Sequence, residues 1–428
     1  MKLFEPKIFT AFKNYKSKDY ISDIIAGVIV AIIALPLSIA LAIASGATPE
    51  TGLYTAIIAG FITALLGGSK VNITGPTAAF ATIVAGIILS QGMEGLFLAT
   101  IMAGILLILM GVLRLGSLIK YIPHTITVGF TAGIAVTLVI GQLKDFLGLT
   151  YPVGTVAIET VEKLTLVFQN ISTFNPWAFA IGLLGLAILI LWPKVSKKIP
   201  GSLIAVLAGS LVCLLPFIQA NTIGSLYTIS SALPTFKLPT VTGEKILALL
   251  PSAFTIALLA GIESLLSCVV SDKMVDDKHN SNTELIALGT SNLFVGLFGG
   301  IPATGAIART AANVKNGGKS PLSGMVHSIV LLLVLVVLMP LAAYIPMPII
   351  AAILFIVAYN MSEWREFVAV IKTKKWNDIL VLVLTFALTV VFDLVKAIAV
   401  GLALHYAILL IYSLIEKRKA ANDTSTQE

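Results

Sequence analysis

Two ionisable residues stand inside apolar sequence where a charge is costly, and both could serve an anion. Glu263 lies in Leu259-Ala260-Gly261-Ile262-Glu263-Ser264-Leu265-Leu266-Ser267, and an acidic residue at bilayer depth costs about 2.5 to 3.5 kcal/mol on insertion scales. Two readings offset that cost. Packed protonated, or paired with Arg309, Glu263 is structural; binding a proton or sodium ion as substrate binds, it couples transport to a cation gradient. Ser267, one turn along on the same face, completes a polar site in the second reading. Arg309 ends the stretch Gly299-Gly300-Ile301-Pro302-Ala303-Thr304-Gly305-Ala306-Ile307-Ala308-Arg309-Thr310. As a helix-end charge it would obey the positive-inside rule with Lys315 and Lys319. Facing a cavity, its planar fork would hold an oxyanion and balance Glu263.

The elements that position these residues follow from backbone chemistry. Gly299, Gly300 and Pro302 forbid a continuous helix, since proline removes a donor and glycine relaxes φ, so the helix should restart near Thr304. A helix starting at bilayer depth presents unpaired N–H groups of Thr304, Gly305, Ala306 and their successors, with about half a positive charge, to whatever precedes it. Irregular backbone survives at that depth only when buried in protein or lining a wet cavity, so this stretch should line a permeation site. Gly67-Gly68-Ser69-Lys70-Val71-Asn72-Ile73-Thr74-Gly75-Pro76-Thr77-Ala78-Ala79-Phe80 is its counterpart in the first half: a glycine pair, a β-favouring run, a Gly-Pro break and a helix start. Interrupted segments at matching places in two halves point to an inverted repeat with a site near the midplane.

Composition sets the class. Hydrophobic residues make up 57% and charged residues 11%, and mean hydropathy is +1.00; this is an all-α polytopic membrane protein. Apolar runs recur from Ile21 to Ile415, enough for roughly twelve to fourteen spans. The net charge of +7 does not imply nucleic acid, because the basic residues sit in short connections between apolar runs. Basic clusters at both ends imply an even number of spans and cytoplasmic termini. A multi-pass protein of the plasma membrane, the inner membrane in a bacterium, is therefore expected, with lipid as its surroundings. Cys213 and Cys268 lie within apolar runs and form no metal set. His124, His327 and His405 are scattered as packing residues are. Asp393 and Lys396 read as a solvated turn. Gly317-Gly318-Lys319-Ser320 imitates a phosphate-binding loop, but Asn313 stands where its first glycine belongs. No HExxH or GxSxG motif occurs; neither an enzyme nor a cofactor is expected, the only accessory species being a coupling proton or sodium ion.

Taken in order, residues 1–20 form a basic cytoplasmic lead-in. Residues 21–218 form a first repeat, 219–245 an extracytoplasmic connection rich in Thr, Ser and Pro, 246–415 a second repeat, and 416–428 a short polar tail. Within the first span, Pro36 in Ala34-Leu35-Pro36-Leu37-Ser38 should kink the helix and free a carbonyl. Spans are expected at roughly Gly52–Leu66, Leu96–Leu113, Ile122–Phe146, Trp177–Trp192 and Ser202–Ile218. The second half should hold Ile246–Val270, Ile286–Leu297, the half-helix from Thr304, Leu322–Pro340, Pro348–Tyr359, Ile379–Phe392 and Ala397–Ile415. Gly148–Pro176 should be an external loop.

These residues resemble the SulP family of anion transporters, the sulfate permease group. The resemblance runs from Asp23 to Ile415 and rests on Ala34–Ser38 with Gly52-Leu53-Tyr54, on Asn72-Ile73-Thr74-Gly75-Pro76-Thr77, on Gly129-Phe130-Thr131-Ala132-Gly133 and on Gly300–Thr310. It implies fourteen segments in a seven-plus-seven inverted repeat, as in the uracil-transporter fold, with a core and a gate domain and two half-helices preceded by short strands. It places substrate between the starts of the third and tenth segments, near Thr77, Ala78, Ala308 and Arg309, with Ser38 and the Glu263 helix on its flanks. Members usually carry a cytoplasmic STAS domain after the last span, whereas here the chain stops soon after Lys419, which leaves dimerisation open. Many eukaryotic members have glutamine where Leu37 stands. The implied activity is proton-coupled symport of sulfate, a related oxyanion or a dicarboxylate. Its rivals are sodium-coupled bicarbonate symport and an uncoupled channel or exchanger in which Glu263 only neutralises Arg309. One proton with a dianion would still move net negative charge against about 2.3 kcal/mol per 100 mV, so the stoichiometry is open.

Overall fold

A computed structural model of the chain describes residues 4–13, 15–117, 123–152, 155, 157, 159–196, 199–392, 397–408 and 410. The first half holds α1 (Ile8–Ala11), α2 (Ser17–Ala44), α3 (Pro49–Leu66), strand β1 (Thr74–Gly75), α4 (Ala81–Val112), α5 (His124–Leu147), α6 (Thr160–Gln169), α7 (Pro176–Val195) and α8 (Gly201–Cys213). After α9 (Ile223–Leu226), the second half holds α10 (Gly243–Val275), α11 (Ser281–Leu297), strand β2 (Thr304–Gly305), α12 (Ile307–Lys315), α13 (Pro321–Leu338), α14 (Met347–Met361), α15 (Trp364–Lys372) and α16 (Trp376–Val391). A further helix, α17, covers Ala397–Ile408. Asp393, Lys396 and the tail after Leu410 lie outside the described residues.

Among the described residues, eight helices are long and apolar enough to cross a membrane, and α8, α16 and α17 are shorter apolar helices. Their outer faces carry exposed aliphatic side chains, such as Leu183, Ile190 and Leu191 on α7 and Leu333, Val336 and Val337 on α13. Such a surface is stable only where the solvent is lipid.

The helices pack in two groups. In one, α2, α3, α4, α10, α11, α12 and α13 interleave across the halves of the sequence; in the other, α5, α7, α8, α14, α15 and α16 pack together. The most extensive helix crossing joins α4 to α11, where a methyl on Gly104 would lie 2.7 Å from the Gly289 carbonyl oxygen. Small residues let two backbones touch where lipid gives no hydrophobic drive for association.

The two faces of the molecule are tied by different segments. On one face the Lys7 amide donates to the Gly67 carbonyl at 2.9 Å, the Glu5 amide to Thr283 Oγ1 at 2.9 Å and Ser22 Oγ to the Gly317 carbonyl at 2.8 Å. On the opposite face the Asn175 amide donates to the Leu147 carbonyl at 3.1 Å and the Ile223 amide to the Ile345 carbonyl at 2.9 Å.

Helix α2 carries Pro36 in its interior, as expected. Several other expectations shift. The expected span from Leu96 is continuous with the first half-helix, the two joined at a bend where Gly92 adopts φ 69°, a value an L side chain rarely takes. The second half-helix starts at Ile307 rather than Thr304, because Thr304 and Gly305 are held in a strand. Residues 148–176 are not all loop: α6 forms there, and the Glu159 amide donates to the Glu162 carboxylate in its first turn. Helix α15 was not expected, since its nine residues are too few and too polar to read as a span.

Candidate functional site

The two interrupted segments meet. Strands β1 and β2 pair antiparallel, with Thr74 opposite Gly305 and Gly75 opposite Thr304. Beyond the strands the Ala306 amide donates to the Ile73 carbonyl at 2.9 Å, and the Ile73 amide to Thr310 Oγ1 at 2.9 Å. Two residues of ladder would be marginal in water; here the pairing satisfies backbone groups that apolar surroundings would leave unpaired.

Each strand leads into a helix start that no side chain caps. Thr77 precedes a 3₁₀ turn at Ala78–Phe80 that continues into α4, and Ala306 precedes α12. The Phe80 amide turns back to the Thr77 carbonyl at 3.4 Å; uncapped N–H groups at a helix start are the physical basis of anion binding there. Ala78 is buried, Thr77 and Ala306 are partly exposed, and Ile307 and Ala308 face open space.

Arg309 lies across this junction. It is buried, and its Nη2 donates to the Pro76 carbonyl. Its Nη1 has no hydrogen-bond partner among the described residues, and a methyl on Gly75 would collide with the guanidinium. A buried, half-satisfied guanidinium retains capacity for an acceptor. Glu263, partly exposed on α10, accepts from Thr77 Oγ1 at 3.1 Å. Glu263 and Arg309 act on one another electrostatically, yet the ion pairs among the described residues do not join them. The Thr77–Glu263 and Arg309–Pro76 bonds and the Ala306–Ile73 bond bring Thr77, Glu263, Ala306 and Arg309 to the β1–β2 junction.

The other expected residues lie in the walls. Thr304 Oγ1 donates to the Ala260 carbonyl at 2.7 Å, tying β2 to α10. Gly305 allows close packing, because a methyl there would stand 2.6 Å from Asn72 Nδ2 and 2.7 Å from Ser264 Oγ. The Ser38 hydroxyl is buried and donates back to the Ala34 carbonyl at 3.0 Å. Ser267 Oγ donates to Asn72 Oδ1 at 2.7 Å and lies 3.1 Å from Thr310 Oγ1, so its hydroxyl serves a network behind the strands rather than the Glu263 carboxylate.

Sequence reasoning missed the centre of that network. Glu284, fully buried in the first turn of α11, accepts from the Gly68 amide at 2.8 Å, the Ser69 amide at 3.2 Å, Asn72 Nδ2 at 2.7 Å and Ser264 Oγ at 3.3 Å. The signal available was an acidic residue entering an apolar run four residues after Asn280, where the helix start favours negative charge. Asp23 was also missed. Fully buried on α2, it accepts from the Lys319 amide at 2.6 Å and the Ser320 amide at 3.3 Å, and from the hydroxyls of Ser320 and Tyr15.

The sequence matches the sulfate permease family over residues 20–385. It is 46% identical over 404 residues to the putative sulfate transporter YvdB of Bacillus subtilis, covering 92% of this chain and 74% of that protein. It is 34% identical over 390 residues to the bicarbonate transporter BicA of Picosynechococcus, covering 89% and 68%. Among solved structures, the transmembrane domain of a cyanobacterial bicarbonate transporter BicA superimposes with TM-score 0.80 at 32% identity, over 90% of this chain and 98% of that one. The SLC26A9 structure has the same fold, with TM-score 0.85 at 22% identity over 94% and 67%.

Proposed function

Because the chain belongs to the sulfate permease family, a family of multi-pass membrane anion transporters and not of enzymes, we propose that it is a proton-coupled symporter of sulfate or a related oxyanion or dicarboxylate. The observation that carries this reading is the pair of uncapped helix starts meeting at the β1–β2 junction, with Arg309 hydrogen-bonded across it to Pro76. Substrate oxygens would take the free N–H groups near Ala78 and Ala308 and the unpartnered Nη1 of Arg309. In this reading the chain forms fourteen segments in a seven-plus-seven inverted repeat of a bacterial inner membrane, with both termini cytoplasmic. The helix group holding the strands would move against the group of α5, α7, α8 and α14 to alternate access.

Coupling follows from Coulomb's law. An ionised Glu263 next to a bound anion is a like-charge contact in a low-dielectric site, so anion binding and proton binding at Glu263 assist one another, and the assistance is reciprocal. The resemblance to BicA supports a second reading, sodium-coupled bicarbonate uptake through the same carboxylate.

The test is uptake of labelled sulfate, fumarate and bicarbonate into proteoliposomes under an inward proton gradient, with and without sodium. Accumulation driven by protons and lost in Glu263→Gln, with passive exchange retained, is the expected result. Accumulation driven by sodium alone would select the second reading, and no accumulation under either gradient would leave a channel or exchanger.

A further inference from the structure

Opposite the face tied by the N-terminal segment, a cavity of about 370 Å³ lies between the two helix groups. Its inner end is Ala78 and Ala81, at the start of the first half-helix; its outer wall includes Gln142, Lys144 and Asp145 from α5 and Lys163 from α6. The cavity therefore runs from the membrane surface to the helix start where the substrate site lies.

Its charged groups are unequal. Lys144 is exposed, and its Nζ lies 4.9 Å from the Tyr151 ring centroid, which occupies that cation with an aromatic face. Lys163 is drawn inward, its Nζ 3.9 Å from where a Cβ on Gly141 would stand, and the ion pairs among the described residues leave it without an acid. Burial lowers the pKa of its ammonium, opposed by the charge of Glu162. With no acid in an ion pair with it among the described residues, that cation gains from any anion that enters. Among the charged residues that line the cavity, two lysines stand against Asp145 alone, with Glu162 outside the lining; the lining is net positive, and low-dielectric walls focus that field.

We propose that this cavity is an anion-capture site distinct from the helix-start site, in which Lys163 holds a small oxyanion before it moves inward along α4. The ligand class is that of the transported anion, so the inference rests on the anion-transport reading. The Gln142 side chain, buried in the same wall, supplies an amide donor to the bound oxygens. Without Lys163 the charged lining residues Lys144 and Asp145 offset one another, and the cavity has no net charge to concentrate anions.

The test measures half-saturating concentrations from each side of the membrane, with labelled sulfate, bicarbonate and fumarate as probes, in right-side-out and inside-out vesicles. For Lys163→Gln the value from the cavity face should rise about 3- to 10-fold at low ionic strength, with the difference shrinking in salt. The value from the N-terminal face should stay within about twofold, since the charge is shielded from that side. Lys163→Arg should restore the wild-type value. Equal changes from both faces, or no change from the cavity face, would overturn the capture site while leaving transport intact. Wild type moving none of the three anions would overturn the transport reading and the capture site with it.

Discussion

Arg309 Nη2 donates to the carbonyl of Pro76, so the one arginine of the second half-helix is bonded to the residue that closes the strand before the first. The bond joins positions 233 residues apart in sequence and sets both helix starts about one charge. It also shows why lysine is a poor substitute, since an ammonium cannot use one nitrogen on the carbonyl and present another, coplanar, to a ligand.

Arg309→Lys should therefore keep the local charge and still raise the half-saturating anion concentration by about 10- to 150-fold, the loss of a charged hydrogen bond being about 1.5 to 3 kcal/mol. Uptake kinetics in proteoliposomes check this. Wild-type affinity in both Arg309→Lys and Arg309→Ala would make the arginine a topological charge only.

Gly75→Ala should displace the guanidinium and weaken anion binding, and Gly305→Ala should push apart Asn72 and Ser264, destabilising by about 1 to 3 kcal/mol as overpacking does. Gly86 is the control, because nothing lies within 4 Å of a Cβ built there. Thermal unfolding in detergent should leave Gly86→Ala unchanged or slightly more stable and lower the midpoint for Gly305→Ala.

Glu284→Ala should be the most damaging single change in the network, because it strips two backbone amides and two side chains of their buried acceptor. Each buried donor left without an acceptor costs about 1 to 3 kcal/mol. Size-exclusion profiles after extraction give the readout: a monodisperse peak at wild-type yield would mean that other acceptors replace the carboxylate.

Asp277 ties the N-terminal segment to the α10–α11 connection, 2.9 Å from Lys7 Nζ and 3.2 Å from Lys70 Nζ. Burial pushes its carboxyl up, but hydrogen bonds from Lys7, the Lys278 backbone and Lys70 outweigh burial and hold it below the ordinary range. A depressed folded-state value means that the stabilisation is present above the unfolded value of about 3.9 and is lost as pH falls through the lower folded value. The tie should thus be intact at neutral pH, and Asp277→Asn should loosen it there. Faster amide exchange at Lys7 in the variant is the expected outcome, and unchanged exchange would assign the anchoring to the Lys7–Gly67 and Glu5–Thr283 bonds.

Much of the architecture was legible in the sequence, because it depends on rules that act within a segment. Apolar runs must be helical in lipid, and Gly299-Gly300 with Pro302, like Gly75-Pro76, must interrupt them; class, breaks and family resemblance followed from residue types alone. Helices α6 and α15 were hidden, since each is short and half polar, and a window tuned to spans passes over it.

What only the tertiary structure decided was partnership. The sequence places Thr74 and Gly305 in separate breaks, but their register, the reach of Arg309 to Pro76, the burial of Glu284 and Asp23 among backbone amides and the turn of Ser267 away from Glu263 depend on segments hundreds of residues apart. A buried polar group takes whichever donor the fold brings within about 3 Å, and no local pattern records which one that is. The sequence therefore determined that this chain carries two interrupted segments in a membrane, and packing determined that the two pair with one another.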